Sequence, residues 1–342
     1  MSDRFLKACR REPVDATPVW FMRQAGRYMP EYRRLRERYS LLELCRTPEL
    51  AAEITLQPVE RIEVDAAIIF SDLLLPLEPM GLRFDFVKGE GPQFENPLSG
   101  DEDIDRLRTF EPGDELGYVL AAIRLARERL DGHVPLIGFA GAPFTLASYA
   151  IEGGPSRDFS RTKALMYSSP ASWHRLCDRL AEVVAAYVVA QVEAGAQAIQ
   201  IFDSWVGTLS GDDYREFVLP HTRRVFEALA PLGVPTIHFG TGTSGILAEL
   251  ASAGGDVIGA DWRIPLDDAW SRIGFDRAIQ GNLDPTVLLG PRYHMLRAAE
   301  EVLRRAGGRP GHIFNLGHGI LPNTPVEQVQ ILARYVHSYR HH

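Results

Sequence analysis

"QVEAGAQAIQIFDSWVG", residues 191–207, holds one complete turn of a repeating plan. A helical pattern over Ala171–Glu193 leads into it. The short apolar run Ala198–Phe202 follows, and Asp203 and Ser204 come directly after. A run of this length, apolar except at Gln200, is what a strand buried on both faces looks like, and helices on either side make it parallel. The plan recurs. Apolar, β-rich runs stand at Val19–Met22, Ala66–Phe70, Pro135–Ala140, Pro235–Phe239, Val257–Ala260, Ala278–Gln280 and His312–Leu316, which brings the number of expected strands to eight. Helical patterns at Pro48–Glu63, Asp213–Ala230, Gly245–Ala253 and Arg292–Ala306 lie between them. Strands alternating with helices define an α/β fold with a parallel sheet. Eight such units in a chain of 342 residues fit a single (β/α)8 TIM-type barrel. A doubly wound open sheet is the alternative on pattern alone.

No linker divides the chain, so one domain over residues 1–342 is expected, with Lys88–Gly113 as a long excursion between the second and third units. Hydrophobic residues make up 45% of the chain, enough for a large core. The formal net charge of −8 argues against a nucleic-acid or membrane partner. No apolar run reaches the ~20 residues that span a bilayer. The start, MSDRFLKACRRE, lacks an apolar signal segment, and the end, HSYRHH, reads as a natural charged tail. Cys9, Cys45 and Cys177 are scattered and odd in number, which points to a reducing, cytoplasmic setting.

Active sites of such barrels lie at the C-terminal ends of the strands. The residues just past the runs are Arg23, Ser71–Asp72, Gly141–Pro143, Asp203–Ser204, Gly240–Gly242, Asp261, Gly281–Asp284 and Gly317–Gly319. Arg23 and Arg27 bracket Gln24-Ala25-Gly26 and stand against the acidic whole. Guanidinium forks grip carboxylates or phosphates, and Gly26 lets backbone approach a ligand. Of Arg33, Arg34, Arg36 and Arg38, most are expected on a solvated face, with Arg36 kept as a ligand candidate. Asp72 could be a base, a metal ligand or a counter-ion. Tyr149 follows a small-residue approach, Ser204 has no nucleophile elbow around it, and His318 stands between two glycines. His221, His238 and His318 are single and far apart, so the residues support no metal site. "HFGTGTSGILAELASAGGDVIGAD", 238–261, contains G-x-G-x-x-G at Gly240, Gly242 and Gly245, with Asp261 ending the next strand. Alone, this is a dinucleotide fingerprint, and a nicotinamide-dependent oxidoreductase is one functional alternative. Its position after four strand–helix units speaks against it.

Together, "PVWFMRQAGRYMPEYR", "IIFSDLLLP", "GFAGAPFTLASY", "IFDSWVG", "GNLDP" and "FNLGHGI" resemble the uroporphyrinogen decarboxylase family, from about Pro18 to the C-terminal helix. The resemblance implies one (β/α)8 barrel, paired as a homodimer, with no metal and no organic cofactor. It implies removal of the four acetate carboxyls of uroporphyrinogen to give coproporphyrinogen and carbon dioxide in tetrapyrrole synthesis. By match of motif it implies substrate contacts at Arg23, Gln24, Ala25, Gly26, Arg27, Arg36, Asp72, Tyr149, Ser204 and His318. Of these, Asp72, Arg23, Arg27, Tyr149 and His318 would carry the chemistry, and Phe139 and Phe202 would supply apolar walls. A substrate with eight carboxylates explains an arginine cluster in an acidic protein. A zinc-dependent corrinoid or thiol methyltransferase of similar barrel architecture is a further alternative, disfavoured because the three cysteines lie away from the strand ends.

Overall fold

The computed structural model describes residues 3–87 and 89–340. Met1 and Ser2, Lys88 at the start of the expected excursion, and His341–His342 in the expected tail lie outside the described residues. The strands are β1 (Ala67–Ile68), β2 (Phe84–Val87), β3 (Gly91–Phe94), β4 (Leu136–Gly141), β5 (Ala198–Asp203), β6 (Thr236–Gly240), β7 (Val257–Gly259), β8 (Ala278–Gln280) and β9 (His312–Ile313). Seven of them form one parallel sheet in the order β1-β4-β5-β6-β7-β8-β9, each next to its successor in that series. Helices connect them, so every strand is covered, and β4 is buried at each of its positions. This is the mixed α/β barrel that the alternation of runs implies.

The run Val19–Met22 departs from expectation. It forms no ladder of its own. Its only parallel bridge is Val19 with Phe314. Around that bridge Phe314 N–H donates to Pro18 O at 2.8 Å and Trp20 N–H to Phe314 O at 3.4 Å. On the other side Asp65 N–H donates to Val19 O at 2.8 Å. Pro18–Trp20 therefore fills the eighth place, between β9 and the approach to β1. Side chains supply what backbone pairing does not. Asp65 Oδ2 accepts from Val19 N–H at 2.7 Å, and Trp20 Nε1–H donates to Gln280 Oε1 at 2.9 Å. Gln280 Nε2–H in turn donates to Gln200 Oε1 at 3.0 Å, so a buried polar chain links the first segment, β8 and β5.

Three other differences have local causes. The excursion carries an antiparallel hairpin, β2 with β3, and a short helix at Asp101–Arg106. Phe84, Phe86 and Phe94 pack together on that hairpin, with Phe84 and Phe94 centroids 5.2 Å apart. The expected helix Asp213–Ala230 is broken into a short turn, a π-helical turn at Tyr214–Val218 and an α-helix at Leu219–Leu229. Pro220 explains the wide turn, because it has no N–H to continue the i→i−4 ladder. Gly245 stands in a 3₁₀ turn before the helix Leu247–Ala253 rather than within it.

Asp65 is the point where the circle closes. Besides Val19, its buried carboxylate receives Arg4 Nη1 and His337 Nε2, each at 2.7 Å, from the first and last helices. Stranding a buried charge network costs about 3–5 kcal/mol. Asp65→Ala is therefore expected to lower the unfolding free energy by about that amount in urea titrations. Asp15→Ala, which removes only the exposed partner of Arg4, is expected to cost about 1 kcal/mol or less.

Candidate active site

The arginine loop hangs from the closure segment. Arg23 follows Met22 with φ of 59°, a left-handed conformation that a non-glycine residue adopts at some strain, and the chain turns sharply there. Two polar anchors hold the turn. Gln24 Oε1 accepts from Phe21 N–H at 3.0 Å while its Nε2–H donates to Ala66 O at 3.0 Å. Asn315 Oδ1 accepts from Met22 N–H at 3.1 Å. Arg33 reaches back and donates to Arg27 O at 3.0 Å and Tyr28 O at 2.8 Å. Arg33 is thus a brace for the loop and not part of a merely solvated face. Arg34 and Arg38 are exposed, with Arg38 over the Tyr39 ring. Gln24 does not present its side chain to the mouth of the barrel: it is fully buried and both ends are used. Ala25 and Gly26 are half-buried at the bend, and a Cβ on Gly26 would stand 2.8 Å from Arg23 O.

Arg23, Arg27 and Arg36 make no ion pair with a carboxylate among the described residues, in contrast to Arg4, Arg46, Arg215 and Arg305. Arg36 donates only to Tyr39 O, at 2.6 Å. Arg36 and Arg27 both act on the buried phenol of Tyr32, whose ring packs on Phe70 at 5.6 Å. Burial, then the neighbouring Arg27 charge, pull the Arg23 guanidinium below its usual value; Tyr149 and Asp72 pull it back up. Three cations without a carboxylate partner among the described residues thus stand on one loop and the helix Pro30–Arg36 that follows it.

Asp72 lies just past β1. Its Oδ1 accepts from Leu74 N–H at 2.9 Å, an Asx turn that fixes the carboxylate. Oδ2 has no protein partner among the described residues. The side chain is half-exposed by area yet enclosed by protein on its flanks. Burial pushes its pKa up to about 6, against the opposing pull of the Leu74 amide and Arg23. Tyr149 sits on the helix Pro143–Glu152, its phenol pushed up to about 12 by burial and then by Asp72. Its ring meets Trp205 edge-on at 5.7 Å. His318 is pulled down to about 4 by burial and then by Arg23, so it is neutral at neutral pH. Its two glycines have separate reasons. A Cβ on Gly319 would stand 2.6 Å from Arg23 Cγ, and one on Gly317 would stand 2.6 Å from Trp262 N. Arg23, Asp72, Tyr149 and His318 are thus joined by mutual electrostatic influence. Ser204 is half-buried after β5, beside Trp205, and its carbonyl accepts from Thr241 Oγ1 at 2.6 Å. Phe139, Phe202 and Phe239 pack edge-on in series, at 5.6 and 6.0 Å.

Trp205 and Tyr32 belong to this setting and are not among the residues expected from sequence. Trp205 could have been found, because it follows Ser204 at a strand end. Two cavities of about 560 and 610 Å³ open at the N-terminal ends of the strands, lined by Glu60, Arg129 and His133 and by Cys9, Asp256 and Arg277. Neither touches the residues above.

Packing accounts for Gly240 and Gly242 of the glycine fingerprint, while a Cβ on Gly245 would meet open space. Gly242 has φ of 69°, and its N–H donates to Asp261 Oδ2 at 2.6 Å. Asp261 is buried and also pairs with Arg263, so it is already fully engaged. A Cβ on Gly207 would stand 2.6 Å from Gly242 C, so the two loops lie against each other. Among the described residues no group of three or more His, Cys, Asp or Glu is arranged to hold a metal ion, and the three cysteines are buried and free.

Fold and site together define a (β/α)-barrel protein with a cationic mouth built around one carboxylate. The sequence pattern of uroporphyrinogen decarboxylase (URO-D) matches residues 1–339. The uroporphyrinogen decarboxylase of Sorangium cellulosum (strain So ce56) is 62% identical over 338 residues, 99% of this chain and 97% of that one. That of Carboxydothermus hydrogenoformans is 56% identical over 338 residues, again 99% and 97%. The chain belongs to the uroporphyrinogen decarboxylase family. Among solved structures, a methyltransferase from Methanosarcina mazei superposes with a TM-score of 0.82 at 24% identity, covering 98% of this chain and 97% of that one. At that identity the likeness concerns the fold alone.

The Asp72 shift makes a stability prediction. Its folded value is raised to about 6 from 3.8, so between those pH values the native state holds the proton more tightly than the unfolded one. Stability is gained at the acid end and lost as pH rises through about 6. Asp72→Asn removes this term. The variant is expected to be the more stable protein above pH 6, with the wild-type-minus-variant difference shrinking toward pH 4. Chemical denaturation across that range reads it, and a flat difference would place the titration elsewhere.

Proposed function

We propose that this protein removes the acetate carboxyls of uroporphyrinogen to give coproporphyrinogen and carbon dioxide, without a metal or organic cofactor. What carries this reading is Asp72, an anion at neutral pH with one oxygen unpartnered, set among the unpaired cations Arg23 and Arg27 in a chain of this family. Each decarboxylation replaces a C–C bond by a C–H bond and consumes one proton. The pyrrole ring serves as the electron sink once a ring carbon is protonated. The ring is then cationic, carbon dioxide leaves, the exposed methylene carbon takes a proton to become methyl, and the ring carbon gives up the proton it first took, so the net uptake is one proton.

A carboxylate ~4 Å from that cation contributes ~4 kcal/mol at an effective dielectric of 20. That is roughly a thousandfold in rate, provided the interaction is absent from the ground state. The free Asp72 oxygen also accepts from pyrrole N–H groups. Arg23, Arg27 and Arg36 bind side-chain carboxylates. Tyr149, protonated at neutral pH, and neutral His318 orient them by hydrogen bonds together with Ser204, while Ala25 and Gly26 let the macrocycle approach the bend. Gln24 acts indirectly, by holding the loop. The whole chain works as one domain, as a homodimer in the cytoplasm, extending the family resemblance.

The direct test is an anaerobic assay with reduced uroporphyrinogen, following carbon dioxide and the four-carboxylate product. Turnover is expected to survive chelator. Stoichiometric nicotinamide binding with hydride transfer, and no decarboxylation, would overturn the proposal.

Two sets of variants assign roles. Asp72→Asn removes the charge and turns N–H donors toward pyrrole N–H groups; it is expected to lose about a thousandfold in kcat while staying folded. Asp72→Glu keeps the charge about a methylene away and should fall between wild type and Asn. Wild-type turnover in Asp72→Asn would show the electrostatic mechanism to be wrong even with the family unchanged. Arg27→Ala should lose ~1.5–3 kcal/mol of kcat/KM, and Arg27→Lys should recover only part, because the fork is gone. Wild-type kcat/KM in Arg27→Ala would contradict the clamp.

A further inference from the structure

Asp203 ends β5, one residue before Ser204, and is fully buried. Its Oδ1 accepts from Thr145 Oγ1–H at 3.1 Å. Its Oδ2 is buried without a hydrogen-bond partner and lies 3.8 Å from His238 Nε2, which is buried and unpartnered too. His238 Nδ1 is 3.1 Å from Leu250 O. A carbonyl only accepts, so Nδ1 carries a hydrogen, and Nε2 is the nitrogen turned toward the carboxylate. The hydroxyl of Tyr214 is buried nearby with no partner, its ionisation pushed well up by burial and then by Asp203. The proposed reaction uses none of these atoms.

What Asp203 joins is informative. Thr145 stands one helical turn before Tyr149 on the helix Pro143–Glu152, so fixing Thr145 fixes the turn that carries the Tyr149 phenol. On the strand side, Asp203 leads directly into Ser204 and into Trp205, against which Tyr149 leans. The site thus has two pieces on separate elements, and the Thr145–Asp203 hydrogen bond spans the gap between them. We propose that Asp203 is a positioning residue of the decarboxylation site, which through Thr145 locks the Tyr149 helix to the Ser204–Trp205 end of β5. The proposal rests on the function assigned above.

The role asks for an acceptor at Oδ1, not for a charge. Asp203→Asn keeps that acceptor and the shape of the side chain. It should therefore keep kcat within about threefold. Asp203→Ala and the isosteric Thr145→Val each remove the tie. A displacement of about 1 Å in such a group costs up to ~100-fold, so kcat should fall about 10- to 100-fold in both, with KM changed less than about threefold. Thr145→Ser should restore the rate. The double variant Thr145→Val with Asp203→Ala should be no worse than either single one, because the two act as one unit.

A reading without substrate accompanies the kinetics. The part of the near-UV circular dichroism that depends on Trp205, taken as wild type minus Trp205→Phe, should change in Thr145→Val and Asp203→Ala but not in Asp203→Asn. Loss of kcat in Asp203→Asn equal to that in Asp203→Ala would make the charge itself essential and overturn the proposal. So would wild-type kcat, or an unshifted spectrum, in Thr145→Val. Should wild type itself fail to decarboxylate, the functional reading falls, and the spectra alone decide whether Asp203 positions Tyr149. Should Asp203→Ala fail to fold, the Thr145 pair carries the same test.

Discussion

The structure turns on closing a sheet through a segment that cannot pair as a strand. Pro18–Trp20 completes the parallel circle with one bridge to Phe314, and then must release its chain at once into a strained bend at Arg23. A regular strand there would carry the arginines along the barrel wall instead of across its mouth. Asp65, Gln24, Asn315 and Gln280 replace the missing ladder with side-chain hydrogen bonds. Their donors and acceptors are aimed individually, so the bend can be held in a conformation that sheet pairing would not allow. The arginine loop and the barrel closure are one piece of structure, so Asp65 supports the loop by holding Val19.

The mouth works against folding at Arg23 and Asp72. Burial and then Arg27 lower the tendency of Arg23 to hold a proton, and Asp72 is lifted by burial further than Arg23 and the Leu74 amide can correct. A closer arginine–aspartate pair would remove both problems. It would also neutralise Arg23 and occupy the Asp72 oxygen that has no protein partner, and the reaction proposed above needs both free. Asp261 shows the other outcome in the same barrel: its carboxylate is buried, paired with Arg263 and bound to Gly242 N–H, which leaves it nothing to offer a ligand.

Much of this was legible from sequence because buried parallel strands are mostly apolar, with exceptions such as Gln200 and Gln280. Ala278–Gln280 and the helix Arg292–Ala306 fall where the pattern puts them. Val19–Met22 has the same composition as those strands, but its hydrogen-bond partners are side chains from Asp65 and Asn315, which no local pattern encodes. Gln24 illustrates the matching difficulty within a motif. It sits between two exposed arginines, yet one turn of backbone sends its amide inward to Ala66. Arg33 looked like surface because the carbonyls it braces lie five and six residues earlier across a bend. The glycines at 240 and 242 were ambiguous because tight loop packing and phosphate binding ask for the same residue type, and only the partner of the Gly242 amide distinguishes them. For Asp72, sequence offered the position at a strand end, but the raised pKa comes from burial in the folded chain.

An overall charge of −8 and a substrate of eight carboxylates pose a conflict that distance resolves. At physiological ionic strength the screening length is about 8 Å. Acidic groups spread over a protein of this size lie mostly farther than that from the mouth, and water and salt suppress their repulsion. In the proposed binding mode Arg23, Arg27 and Arg36 act at contact, where screening is weakest. The local sign therefore governs binding once the substrate is at the rim, while the global sign acts mainly on approach. The same distance argument explains why one carboxylate can stand among the arginines without spoiling the site. Asp72 lies just past β1 rather than on the arginine loop, so the carboxylates of the substrate and the ring they surround meet opposite charges in different places. A polyanion whose core becomes cationic as it reacts needs that arrangement, with positive charge around its edge and negative charge facing its centre.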